Sequence, residues 1–125
     1  MVAKPDEPMS DYQKLEAWRM AMGLVEEVYK RTRSFPKEEL FGLTSQIRRA
    51  AVSIPSNIAE GASRAGSKEF FQFLHIARGS ASEPETQLLL AERLGYLSGS
   101  EALTASLTSV KRLINGLIRS LKDSK

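Results

Sequence analysis

The residues of this chain whose types and spacing suggest binding to a partner are its basic residues. Two adjacent arginines, Arg48 and Arg49, lie inside a segment with helical apolar periodicity, and further basic residues follow it. The arginine guanidinium is a planar fork of hydrogen-bond donors that matches phosphate oxygens. The candidates for nucleic-acid binding are therefore Arg48, Arg49, Arg64, Lys68, Lys111, Arg112, Arg119 and Lys122.

These basic residues have a structural alternative, which is to form salt bridges within or between copies of the chain. Glu60 precedes Arg64 by four positions, which is the spacing of a salt bridge along a helix. Glu60 or Glu69 could also pair with an arginine of a neighbouring copy. We favour this alternative slightly for Arg49, which lies on a face with few charges, and less for Arg48.

Chemistry that depends on a metal ion or on paired acids has little support. His75 is the only histidine and there is no cysteine, whereas protein zinc sites combine several such ligands. Glu83, Glu85 and Glu92 share a helical segment, but charged helix faces are usually solvated. Neither a glycine-rich phosphate loop nor a nucleophile motif is present. We therefore predict no metal, no cofactor and no enzymatic activity, with a small hydrolase as the least favoured function.

Length and composition place the chain among ordinary soluble domains. Its 125 residues suffice for one hydrophobic core, and 42% hydrophobic with 26% charged residues is a usual balance. No apolar run approaches the ~20 residues of a membrane span, and the N-terminus lacks a signal-peptide pattern. We expect a cytoplasmic protein with no membrane partner. The net charge is +3, and residues 111–125 carry five basic residues against one acidic residue.

The segment 42–61 is the one around which the other elements must be arranged. Its apolar stripe has helical spacing and continues past Pro55, which predicts one bent helix; the stripe comprises Leu43, Ile47, Ala50, Ile54 and Ile58. The opposite face is polar but has few charges, and comprises Gln46, Arg49, Ser53, Ser56, Asn57 and Glu60. We expect this face to contact something other than water. Ser53 and Asn57 either hydrogen-bond to carbonyls near Pro55 or contact another subunit.

Three further amphipathic segments predict helices on either side of the central one. The first opens at Ser10 with a capping-box spacing to Gln13, and its main apolar stripe comprises Leu15, Trp18, Met22, Val25 and Tyr29. Ala17, Ala21, Leu24 and Val28 widen this stripe to about half of the circumference, so we expect the helix to bury two sides. The third runs from a cap at Ser67 to Leu94, with a kink at Pro84. The fourth opens at Ser98, and its seam comprises Leu103, Leu107, Val110, Ile114, Leu117 and Leu121.

Four such segments with short connections and no strand pattern predict an all-α protein, an up-down-up-down four-helix bundle. We place a mobile tail at residues 1–10 and a single domain at residues 11–122. Trp18 is expected in the core. His75 is expected at the surface or at a subunit contact. A leucine in place of Pro84 is expected to raise the melting temperature, since proline in a helix interior costs ~3 kcal/mol.

Several of these segments resemble a known protein family. The runs FGLTSQ (41–46) and IRRAAVSIPSNIAEG (47–61) are similar to the four-helix-bundle proteins linked to bacterial 23S rRNA intervening sequences. SKEF (67–70), FLHIARGS (73–80), EPETQ (83–87) and LGYL (94–97) also resemble the pattern of that family. Where the family has leucine, this chain has Pro84. The resemblance covers about residues 11–97, and residues 98–125 match only as an amphipathic helix.

The resemblance implies a bacterial homo-oligomer, a ring of five bundles with no catalytic site. A related protein, the accessory protein of diversity-generating retroelements, engages a reverse transcriptase and nucleic acid through a basic pentamer. We therefore expect a non-enzymatic accessory or scaffold protein that associates with RNA or DNA. Its other possible partner is a reverse transcriptase or another protein. The alternative is a protein–protein adaptor that binds no nucleic acid.

Overall fold

A computed structural model describes the backbone of residues 11–123 and the side chains of residues 12–122. The helices are α1 (Glu16–Thr32), α2 (Leu43–Ala62), α3 (Ser67–Ser80), α4 (Ser82–Arg93) and α5 (Glu101–Asp123), and short 3-10 turns span Asp11–Lys14 and Lys37–Glu39. No strand occurs in this range. Because α3 and α4 together occupy the third predicted segment, the prediction of an all-helical chain with four helical segments is confirmed.

The helices share one hydrophobic core, to which α2 contributes most. Helix α2 packs against α1 on one side and against α3 and α4 on the other, while α5 packs mainly against α1 and α3. The predicted stripe of α2 is buried as expected. In α5 the predicted seam is buried as far as Ile114, but the next buried residue is Ile118 rather than Leu117, which is only partly covered.

The core face of α1 is the flanking part of the predicted apolar arc, and the main stripe of that arc lies at its edge. The buried residues are the smaller neighbouring set, comprising Ala17, Ala21, Leu24, Val28 and Thr32. Small residues let α1 approach α2 and α5 closely, so the larger side chains lie at the edge of the interface. Trp18 and Val25 are therefore only partly buried, and Met22 and Tyr29 are exposed.

The third helical segment breaks at Ala81, three residues before Pro84. The Ala81 N–H still donates to the Ala77 carbonyl at 3.1 Å, so the break is a bend between α3 and α4. Pro84 is the third residue of α4, where a helix has no internal partner for the missing N–H. Its ring is fully buried. The predicted kink is confirmed, and it leaves proline in a tolerated position.

The ends of the helices differ from the predicted caps. Ser10 lies outside the described residues, and α1 begins at Glu16 without a side-chain cap. Helix α3 begins at Ser67 itself, with Gly66 as an N-cap that makes no side-chain bond. Helix α5 begins at Glu101, so Ser98 is two residues too early to be its cap. The predicted caps at Ser67 and Ser98 were wrong because the spacing of polar residues does not show where the first turn starts, whereas the cap at Ser10 stays a prediction.

Gly95 closes α4 as predicted. Its φ of 80° lies in the left-handed region that glycine favours. The Gly95 N–H donates to the Glu92 carbonyl at 3.1 Å and the Tyr96 N–H to the Ala91 carbonyl at 2.9 Å. These two bonds form a Schellman motif, which satisfies the last carbonyls of the helix.

Pro55 lies inside α2 without ending the helix. Ser53 Oγ donates to the Ala50 carbonyl at 2.7 Å and Asn57 Nδ2 to the Ser53 carbonyl at 2.8 Å. Both polar side chains therefore bond to backbone close to the proline. Their acceptors differ from the Ala51 carbonyl, which a residue with an N–H at position 55 would have used.

No helix in the described part of the chain is long and apolar enough to cross a membrane.

Candidate nucleic-acid interface

Arg48 and Arg49 project from the same stretch of α2, and they differ in how they are held. Arg48 Nε donates to Thr32 Oγ1 at 2.9 Å, and its guanidinium lies 4.6 Å from the centre of the Tyr29 ring. Thr32 in turn donates to the Val28 carbonyl at 2.8 Å. The Arg49 side chain is exposed and makes no hydrogen bond or ion pair within the described residues.

Both arginines line a groove of about 470 Å³ beside the start of α2. The groove is lined by Tyr29, Leu40, Phe41, Thr44, Ser45, Arg48, Arg49 and Val52. No described carboxylate lines this groove, and neither arginine forms an ion pair within the described residues, although Glu83 lines the adjoining cleft together with Arg49. Phe41 is 94% exposed, which is unusual for an aromatic side chain. Buried Thr44 Oγ1 also lacks a hydrogen-bond partner in the described structure.

A second, polar cleft of about 400 Å³ adjoins this groove and shares Arg49 with it. It lies between α2 and the α3–α4 bend and is lined by Gln46, Arg49, Ala50, Ser53, Ser80, Glu83 and Gln87. Gln87 Oε1 is buried without a hydrogen-bond partner among the described residues. The low-charge face of α2 thus forms one wall of a cleft with unused hydrogen-bonding capacity.

The structure does not gather all of the predicted basic residues into one site. Arg64 pairs with Glu60 at 3.2 Å and lies 3.8 Å from Glu69, so its charge is compensated within the chain. Lys68 is exposed at the start of α3. For Arg64 the salt-bridge alternative is therefore the better interpretation.

The basic residues of α5 lie on a different part of the molecule from Arg48 and Arg49, since α5 packs mainly against α1 and α3. Lys111 pairs with Glu85 at 3.4 Å and is half-buried. Arg112 lines a small apolar groove with Leu15 and Leu117. Arg119 and Lys122 are exposed and make no ion pair among the described side chains.

Exposed apolar side chains form a further surface along α1 and α2. A groove of about 310 Å³ is lined by Tyr12, Trp18, Met22, Val25, Val52, Pro55, Ser56 and Ala59. Trp18 contacts Tyr12 edge to face, with ring centres 5.3 Å apart. The prediction of core packing for Trp18 holds in part, because Trp18 is partly buried against the core and also lines this groove. The end of α4 and the residue after it expose a separate apolar set, which comprises Leu89, Leu90 and Leu94.

His75 lies on α3 beside aromatic and basic neighbours. Its Nδ1 is 2.9 Å from Arg78 Nη2, and its ring contacts Phe71 edge to face at 4.5 Å. Within the described residues there is no group of three or more histidine, cysteine or acidic side chains that could hold a metal ion.

Sequence reasoning found the two arginines but missed the residues that surround them. The signal for Phe41 was an aromatic side chain outside the apolar stripe, directly before Gly42. Gln87 had no such signal, because its position opposite Gln46 and Ser53 depends on the bend at Ala81.

Comparisons with known proteins place the chain in a family. Residues 13–116 match a family model described as 23S rRNA-intervening sequence protein. A crystal structure from Bacteroides thetaiotaomicron is of a protein with unknown function from the S23 ribosomal protein family. Its TM-score is 0.75 at 23% identity, and the match covers 82% of this chain and 95% of that chain. No curated protein matches the chain. Because the family model extends from the turn before α1 into α5, the chain belongs to the 23S rRNA-intervening sequence protein family.

Proposed function

We propose that the protein is a non-enzymatic, homo-oligomeric accessory protein of the cytoplasm that associates with RNA or DNA through basic surfaces. In this proposal each copy is an up-down-up-down four-helix bundle, and the copies form a ring. The observation that carries the proposal is the pair Arg48 and Arg49 in a groove without a described carboxylate. Uncompensated arginines attract phosphate, and binding then gains from released counterions.

The exposed apolar surfaces support self-association. The α1–α2 groove and the leucines of α4 are separate patches, and contact between two different patches is heterologous. A heterologous contact produces a closed ring when the rotation between copies closes. We expect five copies in the ring, and this number comes from the resemblance to the family. Repetition of a modest charge of +3 around a ring would give the assembly a stronger attraction for a polyanion than one copy has.

The experiment is fluorescence anisotropy with labelled RNA and DNA at several salt concentrations. We expect weak binding whose affinity falls with salt by ~0.7 log units per contacted phosphate for single strands and ~0.9 for duplex DNA, for each tenfold rise in salt. The double variant Arg48→Glu with Arg49→Glu should bind at least tenfold more weakly, since it reverses both charges of the groove.

The matched control is Lys14→Glu with Arg93→Glu, which changes the net charge equally at two exposed positions outside the groove. Light scattering should confirm that both variants have the oligomeric state of the wild type. Absence of binding at low salt, or equal weakening in both variants, would contradict the proposal. The second candidate, a protein–protein adaptor with a reverse transcriptase or other protein as its partner, would then be favoured by the exposed apolar surfaces.

A further inference from the structure

Phe41 is exposed on a turn whose backbone is hydrogen-bonded on both sides of it. The Leu40 N–H donates to the Lys37 carbonyl at 3.1 Å and the Gly42 N–H to the Glu39 carbonyl at 3.0 Å. Glu39 Oε1 also accepts the Leu43 N–H at 3.0 Å, at the start of α2. These bonds order the backbone of the turn, and the Phe41 ring itself is 94% exposed. An exposed ring on an ordered turn is accessible for stacking on a planar partner.

The charge around Phe41 selects an anionic partner. Arg48 and Arg49 line the same groove, and no described carboxylate does. The nearest acid in sequence, Glu39, has both oxygens engaged, since Oε2 accepts a bond from the Tyr96 hydroxyl at 3.0 Å. A second copy seated on the groove would have to bring acidic groups to two arginines. A nucleotide brings a planar ring and an anion in one unit.

The combination of an exposed aromatic ring and arginines is the chemistry with which proteins bind single strands, because a duplex hides the faces of its bases. We propose that a single strand of RNA or DNA crosses this groove, with one base stacked on Phe41 and the adjoining phosphate between Arg48 and Arg49. This inference rests on the proposed function and names its substrate class.

The polar cleft next to Arg49 receives the neighbouring base. Gln87 Oε1 is buried there without a donor, and adenine, cytosine and guanine each carry an amino group that can donate to it. The carboxylate of Glu83 on the same cleft repels phosphate and also accepts donors from a base edge. The groove therefore holds stacked base and phosphate, and the cleft holds a base edge.

The test compares a labelled single-stranded 12-mer of mixed sequence with the same 12-mer annealed to its complement. We expect tighter binding of the single strand. Phe41→Leu keeps an apolar side chain but removes the ring, and should weaken single-strand binding roughly five- to hundredfold, the range of one base stack. Phe41→Trp should restore or improve binding, and its fluorescence should be quenched by the bound strand to a greater extent than that of Trp18 in the wild type.

The salt series separates the roles of the ring and the arginines. Phe41→Leu should leave the slope of log affinity against log salt unchanged, whereas Arg49→Gln should reduce it by ~0.7 for one lost phosphate contact. Ile76→Ala is the matched control, because it removes a half-exposed apolar side chain of α3 outside the groove and the proposed self-association surfaces, and it should bind as the wild type does.

The inference fails if the duplex binds as tightly as the single strand or if Phe41→Leu binds the single strand as the wild type does. It also fails if Phe41→Leu dissociates the oligomer in light scattering, because Phe41 would then be a subunit contact. In these cases salt-dependent binding through Arg48 and Arg49 can persist, so the proposed function survives. Absence of any binding at low salt rejects both.

Discussion

Arg48 lies near the start of α2 and Arg64 lies two residues beyond its end, and both contact an aromatic ring. Each guanidinium lies over the ring, at 4.6 Å from the centre of Tyr29 for Arg48 and at 5.3 Å from that of Phe73 for Arg64. Arg64 also pairs with Glu60 in the last turn of α2 and lies near Glu69. Among the described residues, Arg48 hydrogen-bonds only to neutral groups, Thr32 Oγ1 and the Tyr29 carbonyl.

This difference shows that residue type and ring contact do not decide whether an arginine is available to a partner. The surrounding carboxylates decide it. Exposed salt bridges contribute only about 0–1 kcal/mol to stability, but they cancel the charge that a polyanion would meet. The Arg64 end of α2 is therefore suited to packing within the chain, and the Arg48 end to contact outside it.

The largest effect is expected at the Arg64 end, where α2 and α3 approach most closely. A Cβ at Gly61 would lie 2.6 Å from Phe73 Cβ and 3.0 Å from Phe70 Cδ1. Gly61→Ala should therefore lower the free energy of unfolding by about 1–3 kcal/mol, the usual cost of overpacking. The measurement is urea denaturation followed by circular dichroism.

Gly23→Ala in α1 is the matched control, since no heavy atom lies within 4 Å of a Cβ there. It should stabilise the protein by about 0.5–1 kcal/mol through helix propensity. If Gly61→Ala were as stabilising as Gly23→Ala, the close approach of α2 and α3 would not be a constraint. The interpretation of the Arg64 region as a site of packing within the chain would then be wrong.

The next largest effect tests whether an arginine that is paired with carboxylates contributes less to nucleic-acid binding than one that is not. Arg49→Gln should weaken nucleic-acid binding about tenfold, because one charge-assisted hydrogen bond contributes about 1.5 kcal/mol or more. Arg64→Gln removes the same charge and should change the affinity less than twofold. Anisotropy at constant salt measures both, and equal losses would mean that the affinity depends on net charge alone.

The two ends of α2 also show what sequence reasoning can and cannot reach. The Glu60–Arg64 pair followed from spacing along one helix, and so did the buried stripe of α2. The availability of Arg48 depended on Thr32 and Tyr29 of α1, which are distant in sequence. The polar cleft depended on the bend at Ala81, which places Gln87 opposite Gln46. Periodicity within one helix does not contain such relations between helices.

A smaller effect is expected at Pro84, where the structure changes the prediction from sequence. The sequence placed Pro84 in a helix interior and predicted that a leucine would raise the melting temperature. Pro84 is instead fully buried in the first turn of α4, so little backbone penalty remains to be relieved. Leucine is larger than proline and must fit a fully buried site, so Pro84→Leu should raise the free energy of unfolding by no more than about 1.5 kcal/mol.

Thermal denaturation tests this value, and light scattering reports the oligomeric state. A rise that approaches the ~3 kcal/mol cost of an interior proline would show that α3 and α4 prefer to be one straight helix. The polar cleft would then lose its wall at the bend, and binding through Gln87 would have to be reconsidered.

The smallest effect concerns the hydrogen bond between Tyr96 and Glu39, next to the turn that carries Phe41. The Tyr96 hydroxyl donates to Glu39 Oε2 at 3.0 Å, and this bond, followed by burial, raises the pKa of Tyr96 above its ordinary value of 10.0. A raised pKa means that folding favours the neutral phenol, so its stabilising contribution is complete below the ordinary pKa and is lost as pH rises through the higher folded value.

We expect stability, measured by urea denaturation at a series of alkaline pH values, to fall across this interval in the wild type. Tyr96→Phe should lose part of that fall and be slightly less stable at neutral pH, whereas Tyr12→Phe should keep it. An unchanged alkaline profile in Tyr96→Phe would mean that the bond between Tyr96 and Glu39 does not account for the loss of stability at alkaline pH.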